Sequence, residues 1–307
     1  MTTQFRGVVP PVVTPLREDR TFDEASFDKQ INRMIDAGVH GLFVLGSSGE
    51  VAFSTDARRR EVLAATQRVV QGRVPVLAGV IDTQTERVIE HIRVCEEYGV
   101  DGIVATAPFY ALGGEAQVER HFRALREATD LPIFAYDIPV CVHTKLSVDL
   151  LIRLGKDGVI QGVKDSSGDD VSFRLLCLRN KEEGHPLALF TGHEVVVDGA
   201  YMSGADGSVP GLGNVDPEGY VRQWNAYEAG DWEAVRAEQD RLADVMKVAM
   251  SAKGISGYGA GVGGFKTALQ LLGVFESNQM PEPVSALTGE NVEAVRAVLV
   301  RNGLLEG

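Results

Sequence analysis

Eight short apolar runs alternate with longer amphipathic stretches over the first two thirds of the chain, and this alternation restricts the fold more than any other feature. The runs are "GVVPPVV", "GLFVLG", "PVLAGV", "GIVATA", "PIFAY", "VIQGVK", "LALFT" and "GADGSV", rich in Val, Ile, Leu and Phe. Between them, "DEASFDKQINRMIDAG", "TDARRREVLAATQRVVQG", "TQTERVIEHIRVCEEYG" and "GEAQVERHFRALREAT" carry apolar residues at helical spacing, with Ser, Thr or Asp near their starts and glycine at several ends. Strands that are apolar on both faces need cover on both faces. The pattern therefore predicts an α/β fold with a parallel sheet covered by helices, and eight units predict closure into a (β/α)8 barrel. An open doubly wound sheet is the alternative, but no GxGxxG follows the first run and no GxxxxGK[ST] occurs anywhere.

After the eighth run the pattern is wholly helical, through "DPEGYVRQWNAYEAGDWEAVRAEQDRLADVMKVAM", "GGFKTALQLLG" and "TGENVEAVRAVLVRNG". The chain thus divides into a catalytic barrel over 1–229 and a C-terminal helical extension over 230–307. A length of 307 residues suits one large barrel.

Several function classes fall away on composition. The formal net charge of −13 comes from acids scattered among bases, which disfavours sequence-independent nucleic-acid binding. No apolar run approaches the roughly 18 residues of a membrane span, and "MTTQFRGVVPPVVTPL" lacks the charged start and continuous apolar core of a signal peptide, so a cytoplasmic location is expected. Cys95, Cys141 and Cys177 are far apart and odd in number, the pattern of reduced thiols. Of six histidines, no two stand at metal-ligand spacing on a predicted helix, and His193 followed by Glu194 is too little to define a site. No metal is expected.

Chemistry in such a barrel gathers at the C-terminal ends of the strands, where the loops converge above a filled interior. The second run delivers "GSSGE" with Ser47 and Ser48, the fourth "APFY" with Phe109 and Tyr110, and the fifth Tyr136. The sixth delivers Lys164, the seventh "TGHE" with Gly192, His193 and Glu194, and the eighth "GADGSVPG" with Val209.

Along "VIQGVK", Ile160, Gly162 and Lys164 share one face, so Gly162 leaves room beside the lysine. If that face points inward, the ammonium lies over an apolar interior, where desolvation favours the neutral amine. A neutral amine attacks carbonyls, and the resulting imine acidifies or cleaves neighbouring bonds. The plainer reading is a strand-end lysine that snorkels or pairs with adjacent Asp165, and on strand context alone it stands ahead. The other seven lysines, Lys29, Lys145, Lys156, Lys181, Lys247, Lys253 and Lys266, fall in helical or loop contexts. Tyr136 shares a face with Phe134, and its hydroxyl is placed either to pass protons in the same pocket or to rest on a backbone carbonyl. In "GSSGE" the glycines allow a tight turn that aims backbone N–H groups and two hydroxyls at one point, suiting a carboxylate; an ordinary glycine-serine loop is the plainer reading.

In combination, "GSSGE" (G-[ST]-[ST]-G-E), "YDIP" (usually Y-N-x-P), "GVKDSSG" (G-x-K-[DE]-x-[ST]-G) and "GADGSVPG" resemble the dihydrodipicolinate synthase and N-acetylneuraminate lyase superfamily of class I, pyruvate-dependent aldolases. The motifs follow that order and spacing over essentially the whole chain. The resemblance implies a barrel with a helical C-terminal extension, Lys164 as the imine former with pyruvate or another 2-oxo acid, Tyr136 as proton shuttle and Ser47 as relay. Ser48 would hold the carboxylate, helped by the backbone of Val209. Tyr110 would reach into a neighbouring subunit's site, implying a dimer of dimers, and no cofactor is needed.

Departures from the pattern bear on the substrate. Two residues after Y-N-x-P the synthase branch carries an arginine for the carboxylate of aspartate semialdehyde; here that position is Cys141, and a thiol makes no bidentate carboxylate contact. His143 stands where glycine is common and Asp137 replaces asparagine, predicting unusual polar groups at the pocket rim. Of two consecutive acids that bind sugar hydroxyls in the sialic-acid branch, only Glu194 is present, followed by Val195; Glu194 and His193 still suit a polyhydroxylated aldehyde. The leading expectation is a lyase that cleaves a 2-dehydro-3-deoxy sugar acid to pyruvate and an aldehyde, or dehydrates such an acid. Dihydrodipicolinate synthase is second, followed by a 2-oxo-acid-binding sensor without turnover and, weaker still, a metal-dependent class II aldolase.

Overall fold

A computed structural model describes residues 5–306. In chain order it contains β1 (Gly7–Val8), α1 (Glu24–Asp36), β2 (Leu42–Val44), α2 (Asp56–Val70), β3 (Val76–Gly79), α3 (Thr85–Tyr98), β4 (Gly102–Thr106) and α4 (Glu115–Ala128). There follow β5 (Ile133–Asp137), a one-turn α5 (Pro139–Val142), α6 (Val148–Lys156), β6 (Gly162–Asp165), α7 (Asp170–Glu182), β7 (Ala188–Thr191), α8 (Val197–Ser203) and β8 (Gly207–Ser208). The chain then runs through α9 (Pro217–Glu228), α10 (Trp232–Val245), α11 (Tyr258–Leu271) and α12 (Glu290–Arg301).

All eight runs become strands, paired in parallel in the order β1-β8-β7-β6-β5-β4-β3-β2. Closure comes just beyond β1: Val12 N–H donates to the Phe43 carbonyl at 2.8 Å, and Phe43 N–H donates to the Pro10 carbonyl at 3.0 Å. The sheet is therefore a barrel. Its first strand is short because Pro10 and Pro11 have no N–H to give a ladder.

The helices start where short polar side chains are available. Asp23, Thr55, Ser147, Asp169, Asp216 and Asp231 each accept a first-turn backbone N–H as N-caps. Gly99 ends α3 in the left-handed conformation that glycine adopts freely.

Inside the barrel, Phe134 meets Phe5 and Phe190 edge-on, at centroid distances of 5.1 and 5.9 Å. Glycines face these rings: a Cβ on Gly162 would overlap Phe134, and one on Gly207 would lie 2.5 Å from Phe190. The interior is filled by large rings set against missing side chains, so any pocket must open above this layer.

The C-terminal helices share the barrel's core. Phe265, Ala268 and Leu269 of α11 and Val295 and Leu299 of α12 lie in one contiguous apolar cluster with the barrel residues. Helix α11 is apolar nearly all round, as a helix enclosed by protein on most sides must be. Among the described residues, no helix is long and apolar enough to cross a membrane.

Candidate active site

Lys164 is the third residue of β6, in register with Tyr136 on β5 and Phe190 on β7. Only 5% of it is exposed. Its ammonium lies 4.2 Å from the centroid of the Tyr136 ring and 4.9 Å from that of Phe43, whose π-faces attract a cation in place of water. Among the described residues no carboxylate lies within 4 Å of it, and adjacent Asp165 instead accepts the N–H and hydroxyl of Ser167 at 2.8 and 2.7 Å. The face shared with Gly162 thus points inward, and neither the snorkelling nor the paired reading describes this lysine.

Space for the side chain is made on two sides. Gly162 stands below it on its own strand, and a Cβ on Gly192 would overlap Ser166 Oγ and lie 3.2 Å from Lys164 Cε. Gly192 therefore acts by absence of bulk.

The Tyr136 ring is 3% exposed and packs edge-on to Phe43, with centroids 6.4 Å apart. Among the described residues no carbonyl accepts its hydroxyl. That leaves the hydroxyl available to a ligand.

The "GSSGE" turn stands over the Phe43 ring, since a Cβ on Gly46 would lie 2.5 Å from it, and a Cβ on Gly49 would lie 3.0 Å from Leu45 N. Glu50 closes the turn in the left-handed conformation, φ 61°, its N–H donating to the Ser47 carbonyl at 3.1 Å. Ser47 and Ser48 are half-buried, and among the described residues neither their hydroxyls nor their backbone N–H groups have an acceptor. Four donors without acceptors in one tight turn are the kind of group that can take up an anion.

Other expected residues are placed differently. Asp137 is not at the rim: successive strand residues point to opposite faces, so its side chain leaves the barrel behind Tyr136 and is fully buried. There it pairs with the Lys145 ammonium and accepts the Leu146 N–H at 3.1 Å. Burial pushes its carboxyl up to about 6, against the pull of Lys145. Val209 cannot give its N–H to a carboxylate, because that group donates to the Thr191 carbonyl at 2.7 Å; only its carbonyl is left, an acceptor. His193 leans toward the loop after β6, with Nδ1 3.8 Å from Asp170.

Glu194 does approach the site. Its Oε1 accepts the Gly211 N–H at 3.0 Å; burial raises its carboxyl, and the charge of Lys164 opposes that rise. Cys141 lies on α5, exposed at its surface, while partial desolvation of its sulfur raises the thiol and the Lys164 charge again opposes. His143 ends α5 in the left-handed conformation, φ 53°, which explains why glycine suits that position; its side chain is exposed. Tyr110 is 94% exposed.

Three contributors escaped the reading of the sequence. Phe43 sits under the ammonium, Tyr258 of α11 donates to the Ser47 carbonyl at 2.7 Å, and Lys266 of α11 pairs with Glu50 at 2.6 Å. Lys266, expected in an ordinary helical context, is 0% exposed and more deeply buried than Lys164. A signal was present in "GGFKTALQLLG": a lysine in a helix apolar on every side has nowhere exposed to go.

The sequence profile of the Dihydrodipicolinate synthetase family matches residues 4–302. The chain belongs to this family. Over 303 residues it is 35% identical to an "Uncharacterized DapA-like lyase" of Halobacterium salinarum, covering 98% of this chain and 95% of that protein. It is 35% identical over 246 residues to a 4-hydroxy-tetrahydrodipicolinate synthase of Phenylobacterium zucineum, covering 79% and 81% respectively. Among solved structures, YagE, a prophage protein of the dihydrodipicolinic acid synthase family from E. coli K12 in complex with pyruvate, superposes with a TM-score of 0.91 at 26% identity, covering 98% of this chain and 99% of that one. The members of this family are lyases, and the family's barrel is the fold described above. Among the described residues, no group of three or more His, Cys, Asp or Glu is placed to hold a metal ion.

Proposed function

We propose that the chain is a lysine Schiff-base lyase that reversibly cleaves a 2-dehydro-3-deoxy sugar acid to pyruvate and an aldehyde, or dehydrates such an acid. The observation that carries this reading is Lys164 itself: a buried strand-end amine between two aromatic faces, without a carboxylate partner among the described residues and below a turn of free donors. The pyruvate complex of the YagE relative supports a 2-oxo acid as the common part of the substrate.

In this reading the donors of Ser47 and Ser48 hold the substrate carboxylate. The Lys164 amine adds to C2, and loss of water gives an iminium ion. Tyr136, relayed by Ser47, takes the proton of the C4 hydroxyl; the C3–C4 bond breaks, its electron pair forms an enamine, and O4 becomes the aldehyde carbonyl. Protonation at C3 and hydrolysis then release pyruvate and restore the amine. In dehydration, C3 loses its proton and the C4 hydroxyl leaves as water. In this reading Glu194 accepts hydrogen bonds from the hydroxylated part of the substrate. No cofactor enters any step.

Tyr110, exposed beyond β4 with Leu112 at 54% and Val140 at 79%, supports an assembly in which its ring is covered by a second copy, within a dimer of dimers. The relatives named 4-hydroxy-tetrahydrodipicolinate synthase favour that activity as a second reading. Against it stands Cys141, which offers no bidentate partner to a second carboxylate.

The test is incubation with pyruvate, borohydride reduction and mapping of the adduct by mass spectrometry. A stable adduct on Lys164, lost in Lys164→Ala, is the expected result, and a wild-type protein without it overturns the Schiff-base reading. A panel of sugar acids beside aspartate semialdehyde then separates the two activities, and efficient condensation with the semialdehyde would select the second.

A further inference from the structure

Helix α11 touches the carboxylate turn at two points. At one end the Tyr258 hydroxyl donates to the Ser47 carbonyl at 2.7 Å, the same oxygen that receives the Glu50 N–H at 3.1 Å. In the middle of the helix, Lys266 meets the Glu50 carboxylate at 2.6 Å, with side-chain exposures of 0% and 3%. Lys266 stands eight positions after Tyr258, about 12 Å along a helix, so one rigid element grips the turn at two separated points. The Lys266 ammonium also donates to the Gln279 carbonyl at 2.9 Å, which fixes it from the far side.

A buried ion pair adds little stability over well-packed apolar residues, so it is weak as a folding device and strong as a constraint on geometry. Burial raises the Glu50 carboxyl and lowers the Lys266 amine, each opposed by the partner's charge. The constraint acts on a turn whose last residue has left-handed backbone and whose two glycines, Gly46 and Gly49, let it pack against Phe43 and the Leu45 backbone. The same helix reaches a second strand end: a Cβ on Gly211, whose N–H holds Glu194, would lie 3.0 Å from the Phe265 ring.

We propose that Lys266, through Glu50, and Tyr258, through the Ser47 carbonyl, are positioning residues that aim the donors of Ser47 and Ser48 at the substrate carboxylate. This rests on the reading of the site as one for 2-oxo acids. Neither residue touches substrate; their effect passes through the turn.

The experiment uses the full chain as wild type, Tyr258→Phe and the double variant Glu50→Gln with Lys266→Met, which leaves no charge buried alone. Each is titrated with pyruvate and with pyruvamide, which has the same ketone but no carboxylate, and borohydride trapping on Lys164 is measured beside circular dichroism. Tyr258→Phe removes one hydroxyl and should raise the half-saturating pyruvate concentration by about 3- to 10-fold, the worth of one hydrogen bond. Limiting trapping, and trapping with pyruvamide, should be unchanged. The double variant should shift the pyruvate value further; if it does not fold, Tyr258→Phe alone decides. Equal losses with both ketones would reduce the helix to a structural prop and overturn the proposal, as would an unchanged pyruvate titration. A wild type that traps neither ketone overturns the Schiff-base reading and this proposal with it, which separates that failure from a failure of positioning alone.

Discussion

At Cys141 an exposed thiol stands where an arginine would hold the carboxylate of aspartate semialdehyde. Charge-assisted bidentate contacts are worth more than neutral ones. Cys141→Arg should therefore raise kcat/KM for condensation with aspartate semialdehyde by about 10- to 100-fold, measured by coupled assay, and lower it for a neutral polyhydroxylated aldehyde. Gly192→Ala places a methyl against Ser166 and Lys164; a displacement of about 1 Å in a reacting group can cost about a hundredfold. Borohydride trapping should fall by that order while the far-ultraviolet spectrum is kept. Asp137 yields a prediction of stability. Its carboxyl lies near 6 in the folded chain against an ordinary value of 3.8, so between about pH 4 and 6 the folded state binds more protons than the unfolded one. Its contribution is lost as pH rises. The stability of the wild type minus that of Asp137→Asn should fall by about 1 to 3 kcal/mol across that window, read from urea denaturation at several pH values.

Strand β6 and the turn after β2 show what elements add to residues. Alternation along "VIQGVK" put Gly162 and Lys164 on one face, and the parallel register with β5 set that face beside Tyr136. The ring opposite Gly162 leaves no room for a methyl. Gly162→Ala should cost about 1 to 3 kcal/mol from overpacking, seen as a lower unfolding midpoint. In "GSSGE" the motif was legible but its anchorage was not. Two glycines and two serines are common in loops, and only the approach of Phe43 to Gly46 and of α11 to Ser47 and Glu50 separates this turn from an ordinary one. Asp137 shows the opposite error: its position in "YDIP" was read as rim, although the alternation that put Tyr136 inward already put Asp137 behind the wall.

For the whole molecule, α11 and α12 join the barrel's own core, so residues 230–307 are expected to unfold with the barrel in a single transition. The exposure of Tyr110, Leu112 and Val140 along one end of the barrel predicts self-association. Sedimentation should find a dimer or a larger assembly, and Tyr110→Ala should shift it toward monomer and lower turnover together.

By itself the sequence determined the barrel, because eight apolar runs alternating with amphipathic stretches leave few ways to bury both faces of a sheet. It also determined which residues stand at the strand ends, because side-chain direction follows a period of two. Contacts between residues distant in the chain were decided only by the tertiary structure. Phe43 under Lys164, Lys266 against Glu50 and Lys145 against Asp137 join positions that no local pattern relates. A period tells a side chain which way to point; only packing tells it what it meets there.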